Sequence, residues 1–468
     1  MKKEKIIFYI LLTALITRVL FLFDHHQIWW DSAVYIGMGK YILSLAQQGL
    51  WEPIRPVVWP IILGFIWKIK LNPIFFGRLL TTIISLAIIY LTYKITIETH
   101  DKNTAIISSI FVAFSSIFFF FNFRIYTEIP ALFFILLSLF FIQKKRYLFA
   151  GFFIAIGFLT KFPAGIFLIC FLPLIIDKKK NLVYYGLGFA IPTAAYLIFN
   201  QIMYGNLLFP FLSASITISK VAGCNYLRYN PWYYYFIMIL KDNFLNIFAI
   251  PGIYFAIKKI NKKNVALLLS LILPLLYFLQ LHCREYRYMI LFLPFLAIFS
   301  AHGFIKTLTK IIKKPSKNHY LILFIAIILI SATTSIVYYH YNEPKAKIIP
   351  RQEFYYFAEN QTIKGEVWTT NPLINLYVSK KTFLLYYPLY TAQTIEDFEE
   401  YLKTADITYI FLDTCSGGMT CSPDDEECSK KTKDFINNLE SGFDKKFHKT
   451  FGKCNYYIFK ATKFHSAG

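Results

Sequence analysis

The sequence predicts a polytopic α-helical membrane protein with about eleven transmembrane helices and a C-terminal extracytoplasmic α/β domain. Three observations carry that expectation. Apolar stretches of spanning length recur through the first 340 residues, basic residues collect in alternate loops, and residues 341–468 turn polar and hold four of the seven cysteines. With 56% hydrophobic and 19% aromatic residues over 468 positions, the chain is far more apolar than a soluble core needs.

A helix needs roughly 20 predominantly apolar residues to cross a bilayer. Stretches near that length are read at 6–23, 74–97, 104–122, 126–142, 181–203, 232–257, 265–281, 288–305 and 319–340. Two shorter ones, 147–160 and 162–176, flank Lys161. The start, Met1-Lys2-Lys3-Glu4-Lys5, leads into a long apolar stretch with no small-residue cleavage site, so it is read as a first anchor.

Charge placement tests the count. If the basic start lies inside, eleven crossings also put Lys144-Lys145-Arg146, Lys178-Lys179-Lys180, Lys258 to Lys263 and Lys306 to Lys317 inside. A single span over 147–176 would leave two consecutive basic loops on opposite faces, which is why the chain is divided at Lys161. The formal charge of +22 is then mostly loop charge. Dispersed as it is, with no binding fold beside it, it does not point to nucleic acid.

The same count leaves residues 1–340 as the membrane domain, with a first outer loop at 24–73, and 341–468 as a soluble outer module. Gly365 to Thr370 and Ile407 to Asp413 read as strands, and Thr394 to Thr404 reads as a helix opened by a capping box. Cys415, Cys421, Cys428 and Cys454 form an even set in an outward domain, which suggests two disulfides in one of three pairings. A zinc site fits less well, because Cys-x5-Cys-x6-Cys lacks a close pair. Asp424-Asp425-Glu426-Glu427 is most simply a solvated turn, and Asn360-Gln361-Thr362 is a glycosylation sequon.

The outer face carries the chemistry. Asp24, His25, His26, Asp31, Glu52, Arg55 and Arg78 fall in or beside the first loop, and later loops add Arg124, Glu128, Lys161, Lys220, Arg228, Arg284, Glu285 and Arg287. A channel or pump would place such groups at mid-depth. Here only Arg18 lies deep, and its long side chain has the reach to snorkel outward. Each residue also has a plainer reading: Asp31 as the cap of a helix from Ser32 to Leu45, Glu128 as a helix N-terminal acid, and Arg55 and Lys161 as headgroup anchors. His25 and His26, being adjacent, point apart on regular structure and read as interface polar residues rather than as a metal pair.

The order of these motifs resembles the GT-C glycosyltransferases, the polyprenyl-phosphate-sugar-dependent group that includes protein O-mannosyltransferases and the lipid A aminoarabinose transferase. Trp30-Asp31-Ser32-Ala33-Val34-Tyr35-Ile36 is similar to the family's acidic first-loop motif, and Arg55-Pro56-Val57-Val58-Trp59-Pro60 to the stretch that closes that loop. Phe76-Gly77-Arg78-Leu79-Leu80, Arg124-Ile125-Tyr126-Thr127-Glu128-Ile129-Pro130 and Gly157-Phe158-Leu159-Thr160-Lys161 follow in the family's order. The resemblance covers about residues 6–305. It departs at Ser32, where many relatives carry a second acid, and that weakens the case for a two-carboxylate metal site.

What the resemblance implies is an inverting transfer of a sugar, mannose being common among relatives, from a polyprenyl or dolichyl phosphate to a protein, glycan or lipid acceptor on the outer face of the cell membrane. Single-step inversion needs one general base, and Asp31 is the expected one. Arg55, Lys161 and Arg287 are expected to hold the donor phosphate, since the leaving group needs its growing charge stabilised rather than protonated. Glu128 and Glu52 are expected on substrate hydroxyls or on a divalent cation, Mg or Mn, which some relatives use. A transporter or flippase of a lipid-linked sugar is the alternative. It needs no base in the first loop and usually shows internal repeats, which are not evident here.

Overall fold

The computed structural model describes residues 4–24, 26–220, 230–281, 284–311, 317–343, 349–359, 363, 365–385, 407–415, 419, 421 and 426–460. His25, Arg228, the Asn360 sequon, the Thr394 to Thr404 segment, Asp424 and Asp425 lie outside the described residues, as does the side chain of Lys220. In chain order the helices are α1 (Glu4–Leu22), α2 (Trp30–Leu43), α3 (Val58–Lys68), α4 (Pro73–Thr99), α5 (Lys102–Ala113), α6 (Ser116–Phe121), α7 (Glu128–Gln143), α8 (Tyr147–Thr160), α9 (Ile166–Cys170), α10 (Lys179–Tyr204), α11 (Phe209–Lys220), α12 (Tyr234–Asp242), α13 (Ala249–Lys258), α14 (Lys262–Gln280), α15 (Leu293–Ile311), α16 (Lys317–Asn342), α17 (Ile349–Glu359) and α18 (Glu426–Gly442). The strands are β1 (Glu366–Thr369), β2 (Thr382–Leu384), β3 (Ile407–Asp413), β4 (Asp444–Phe451) and β5 (Cys454–Lys460). They divide into two compact units, neither contiguous in sequence: Met1–Gln27, Ile74–Leu207 and Asn230–Pro344 form one, and Ile28–Pro73, Leu208–Tyr229 and Lys345–Gly468 the other.

The first unit is the membrane body. Among the described residues, Lys5–Leu22, Pro73–Thr99, Lys179–Tyr204, Lys262–Gln280 and Leu323–Asn342 are each long and apolar enough to cross a bilayer, and the chain is an integral membrane protein. The other expected spans are shorter or interrupted. The stretch expected as one helix over 104–122 breaks into α5 and α6, with the Ser115 hydroxyl accepting from the Phe118 N–H at 3.2 Å. The stretch over 232–257 turns by 117° after Asp242, and Asn243 caps the next turn by accepting from Leu245 N at 3.0 Å. These two breaks satisfy each other. Asp242 Oδ1 accepts from Ser115 Oγ at 2.9 Å and from Ile117 N at 2.8 Å, so backbone freed at one interruption finds its partner at the other.

Arg18 does not snorkel. It is fully buried, donating from Nε to Ser85 Oγ at 3.0 Å, from Nη2 to Ala113 O at 3.0 Å and from Nη1 to Ala14 O at 3.2 Å. Three acceptors on two other helices and its own satisfy the guanidinium where it stands, so the outward reach is not used. Elsewhere in this unit α8 and α10 cross in van der Waals contact. A Cβ on Gly151 would lie 2.0 Å from Tyr185 O, and one on Gly188 2.1 Å from Leu148 O, so only glycine permits this approach.

The second unit is an α/β module. Its sheet has the order β2-β1-β3-β5-β4, with β2, β1 and β3 parallel and β5 antiparallel to both β3 and β4. Side-chain alternation along β3 supplies both faces: Tyr409 and Phe411 pack with Phe354 and Ala358 of α17, while Ile410 and Leu412 pack with Phe435 and Leu439 of α18. Disulfides join Cys415 to Cys454 and Cys421 to Cys428. The first closes the longer loop, with a sequence separation of 39, and in the chain-entropy view it stabilises the module by about 4 kcal/mol.

The loop at 28–73 belongs to the same unit. Gly49 forms a parallel bridge with Lys381, donating to Lys380 O at 3.0 Å and accepting from Thr382 N at 2.7 Å. Its φ of +82° and the 2.2 Å that would separate an added Cβ from Gly37 O require glycine there. Val34, Met38 and Leu50 pack together with Trp30, Trp51 and Leu384, and the buried Lys40 ammonium donates to Asn375 O. Helix α2 is thereby fixed on the sheet module at several points.

Candidate active site

Asp31 sits in the first turn of α2, with Trp29 rather than Asp31 as the N-cap and no side-chain cap bond. Four residues on, and therefore on the same helix face, stands Tyr35. Between α2 and α3 the chain brings Arg55 back to this face. Arg55 Nη2 lies 2.8 Å from Asp31 Oδ1, its Nε is hydrogen-bonded to Glu52 Oε2, its Nη1 donates to Tyr35 Oη at 3.3 Å, and the guanidinium carbon is 5.2 Å from the centre of the Tyr35 ring. Burial alone would lower the Arg55 pKa, but the Asp31 and Glu52 carboxylates beside it hold it well above its ordinary value. Burial raises that of Glu52, and Arg55 only partly offsets the rise.

In the membrane unit the loop residues 124–128 turn through a β-branched residue with positive φ, Ile125 at +57°, a conformation that is rare for such a side chain. The turn opens α7 with Glu128, whose side chain is only 1% exposed. Glu128 Oε1 accepts from Lys161 Nζ at 2.9 Å and lies 3.4 Å from Arg287 Nε. Arg287 also pairs with the more exposed Glu285 at 2.5 Å. Two tyrosines complete the cluster: Arg287 stands 4.7 Å from the ring centre of Tyr126, and the Lys161 ammonium 5.0 Å from that of Tyr288. Glu128 Oε2 is buried and has no hydrogen-bond partner among the described residues. Arg284 takes no part, its donors going to Leu279 O at 2.7 Å and Asn230 O at 2.5 Å.

Residues flagged in the sequence are thus gathered within each unit, Asp31 with Glu52 and Arg55, and Glu128 with Lys161 and Arg287. Sequence reasoning missed Tyr35, although its i+4 spacing from Asp31 was the available signal. It also missed Glu343. That carboxylate, just past α16, is hydrogen-bonded to Arg124 Nη2, accepts from Gln27 N at 3.4 Å and lies 3.9 Å from His26 Nδ1, which in turn is 2.9 Å from Tyr339 Oη. His26 is consequently an interior residue, stacked on Phe123 at 4.6 Å.

Burial would raise the Glu343 pKa, yet the neighbouring His26 ring and the hydrogen-bonded Arg124 guanidinium bring it below its ordinary value of 4.5. A carboxyl depressed in the folded state contributes stability above its unfolded pKa and loses it as pH falls through the folded one. Glu343→Gln is therefore expected to cost about 2 kcal/mol at pH 7, the worth of a hydrogen bond to a charged group. The difference from wild type should vanish as pH falls through the lowered value, which thermal unfolding across that range will show.

A divalent ion finds no ready donor set here. Asp31 and Glu52 already share one guanidinium and Glu128 already faces two cations, and among the described residues no three His, Cys, Asp or Glu side chains gather as ligands.

The family model described as dolichyl-phosphate-mannose-protein mannosyltransferase matches residues 54–204, a stretch that includes Arg55, Glu128 and Lys161. ArnT from Cupriavidus metallidurans, in a crystal structure bound to undecaprenyl phosphate, superposes with a TM-score of 0.68 at 10% identity, over 97% of this chain and 97% of that one. The chain has the GT-C fold. The archaeal oligosaccharyltransferase AglB from Archaeoglobus fulgidus, in complex with an inhibitory peptide and a dolichol-phosphate, matches at TM-score 0.62 and 13% identity, over 96% of this chain and 74% of that one. The Archaeoglobus fulgidus oligosaccharyltransferase in complex with Zn and sulfate matches at 0.58 and 13%, over 86% of this chain and 68% of that one. No curated protein sequence matches the chain.

Proposed function

We propose that this GT-C chain is an inverting glycosyltransferase that moves a sugar, mannose being the favoured candidate, from a polyprenyl or dolichyl phosphate to a hydroxyl of a protein, glycan or lipid. It works at the outer face of the cell membrane, with its N-terminus inside, an orientation supported by the distribution of basic loops. The observation that carries the reading is the cluster at Glu128, where cations from two other loops, Lys161 and Arg287, meet one buried carboxylate beside Tyr126 and Tyr288.

In this proposal Lys161 and Arg287 receive the donor phosphate, which takes the place of Glu285 on the Arg287 guanidinium. Asp31 accepts the proton of the acceptor hydroxyl as that oxygen bonds to the anomeric carbon. The bond from that carbon to the phosphate oxygen breaks on the opposite face, its electron pair stays on the phosphate, and the configuration inverts. Arg55 changes role relative to the sequence reading. Its Nη2, Nε and Nη1 already meet Asp31, Glu52 and Tyr35, so we assign it to orienting Asp31 rather than to gripping the donor.

Support from known proteins is of the same kind: ArnT is bound to undecaprenyl phosphate and AglB to a dolichol-phosphate in their structures. Mass spectrometry of surface glycans from cells with and without this chain tests the reading. A single sugar missing from one class of acceptor is the expected result. Identical glycan profiles would refute it.

A further inference from the structure

At one end of the membrane unit, the turn between α7 and α8 and the turn before α10 form an open, solvent-facing depression of about 700 Å³. Lys145, Arg146 and Lys178 line it, and none of the three has a side-chain partner among the described residues. Asp177 also lines it, and that acid pairs with Lys262. The fold supplies further positive potential. Helices α8 and α10 run in the same direction, since Gly151 meets Tyr185, Phe158 lies 5.9 Å from Phe189 and Phe162 lies 6.3 Å from Tyr196, so both start at this depression. Their N-cap residues, Arg146 and Lys178, make no side-chain cap bond, so the N–H groups ahead of Asn181, which donates to Lys178 O at 2.9 Å, are not capped by them. The lining continues into apolar surface: Leu148 is 42% exposed, Phe149 52% and Tyr184 43%.

We propose that this depression binds the phosphate headgroup of an anionic membrane phospholipid, whose chains lie along Leu148, Phe149 and Tyr184. Three cations with no side-chain partner among the described residues, beside two helix N-termini, call for an anion, and the adjoining exposed rings and aliphatics suit one attached to hydrocarbon. That apolar surface is where α8 and α10 enter the bilayer, so an anion carried by a membrane lipid reaches the cations with its chains still in the hydrocarbon. The site is independent of the sugar-transfer proposal.

Lys145 provides a clean variant. Its φ of +57° lies in the left-handed region that favours glycine, so Lys145→Gly removes a cation while relaxing the backbone. The full chain in neutral detergent is titrated with short-chain phosphatidylglycerol, short-chain phosphatidylcholine or inorganic phosphate, and thermal unfolding gives apparent affinities. Phosphatidylglycerol alone should stabilise the wild type. Lys145→Gly should weaken its binding about fivefold, and the triple variant Lys145→Gly, Arg146→Gln, Lys178→Gln roughly a hundredfold, at about fivefold per cation. Should the triple variant fail to fold, the single variant decides. Equal stabilisation by phosphatidylcholine, equal stabilisation by inorganic phosphate, or an unchanged response in Lys145→Gly would each overturn the proposal.

Discussion

Asp31→Asn is expected to lower the rate of sugar transfer by roughly a thousandfold, within the range that a lost general base costs. Asparagine keeps the volume of the side chain and an oxygen for Arg55, but it cannot take up the acceptor proton. The fold should tolerate the change. Arg55 retains Glu52 and Tyr35, and α2 stays pinned through Gly49, Lys40 and the Val34–Met38–Leu50 contacts. Losing a carboxylate from the first turn of a helix costs about 0.3–1 kcal/mol, so the unfolding midpoint should move little. Transfer at the wild-type rate by a folded Asp31→Asn protein would remove the base from the mechanism.

Glu128→Ala carries the largest expected stability effect. The change leaves Lys161 and Arg287 without the carboxylate they share, in a place where the side chain they faced was 1% exposed. Breaking a buried ion pair by removing one partner costs roughly 3–5 kcal/mol, because the remaining charge is left uncompensated. Two cations are stranded here, although Glu285 still serves one of them. Adding Lys161→Met to Glu128→Ala should recover part of that loss, so the double variant is expected to be more stable than the single one. A Glu128→Ala midpoint within about 1 kcal/mol of wild type would mean that the cluster is solvated, and its assignment to the donor phosphate would lose its basis.

The membrane body was legible because spanning length and basic loops are local properties of the sequence. The expected stretches at 74–97, 181–203 and 265–281 correspond to α4, α10 and α14, and the strands expected near 366 and 407 are β1 and β3. The interruptions were not read, although Ser115-Ser116 and Asp242-Asn243 are polar pairs inside apolar runs and both supply caps. Their meaning depends on each other, through the Asp242 bonds to Ser115 and Ile117, and a contact between residues so far apart leaves no local trace. Arg18 was misjudged for the same reason: Ser85 and the Ala113 carbonyl are distant in sequence. In the candidate site, residue types and loops were readable and pairings were not. Nothing in Arg55-Pro56 shows that Arg55 will pair with Asp31 and Glu52.

The most direct measurement uses the purified protein in proteoliposomes with a polyprenyl-phosphate sugar labelled in the sugar and an acceptor extract. Wild type is expected to release free polyprenyl phosphate in step with labelled acceptor, and Asp31→Asn to release neither. Labelled donor that crosses the bilayer with its sugar–phosphate bond intact, at the same rate in both proteins, would contradict the account and identify a transporter instead.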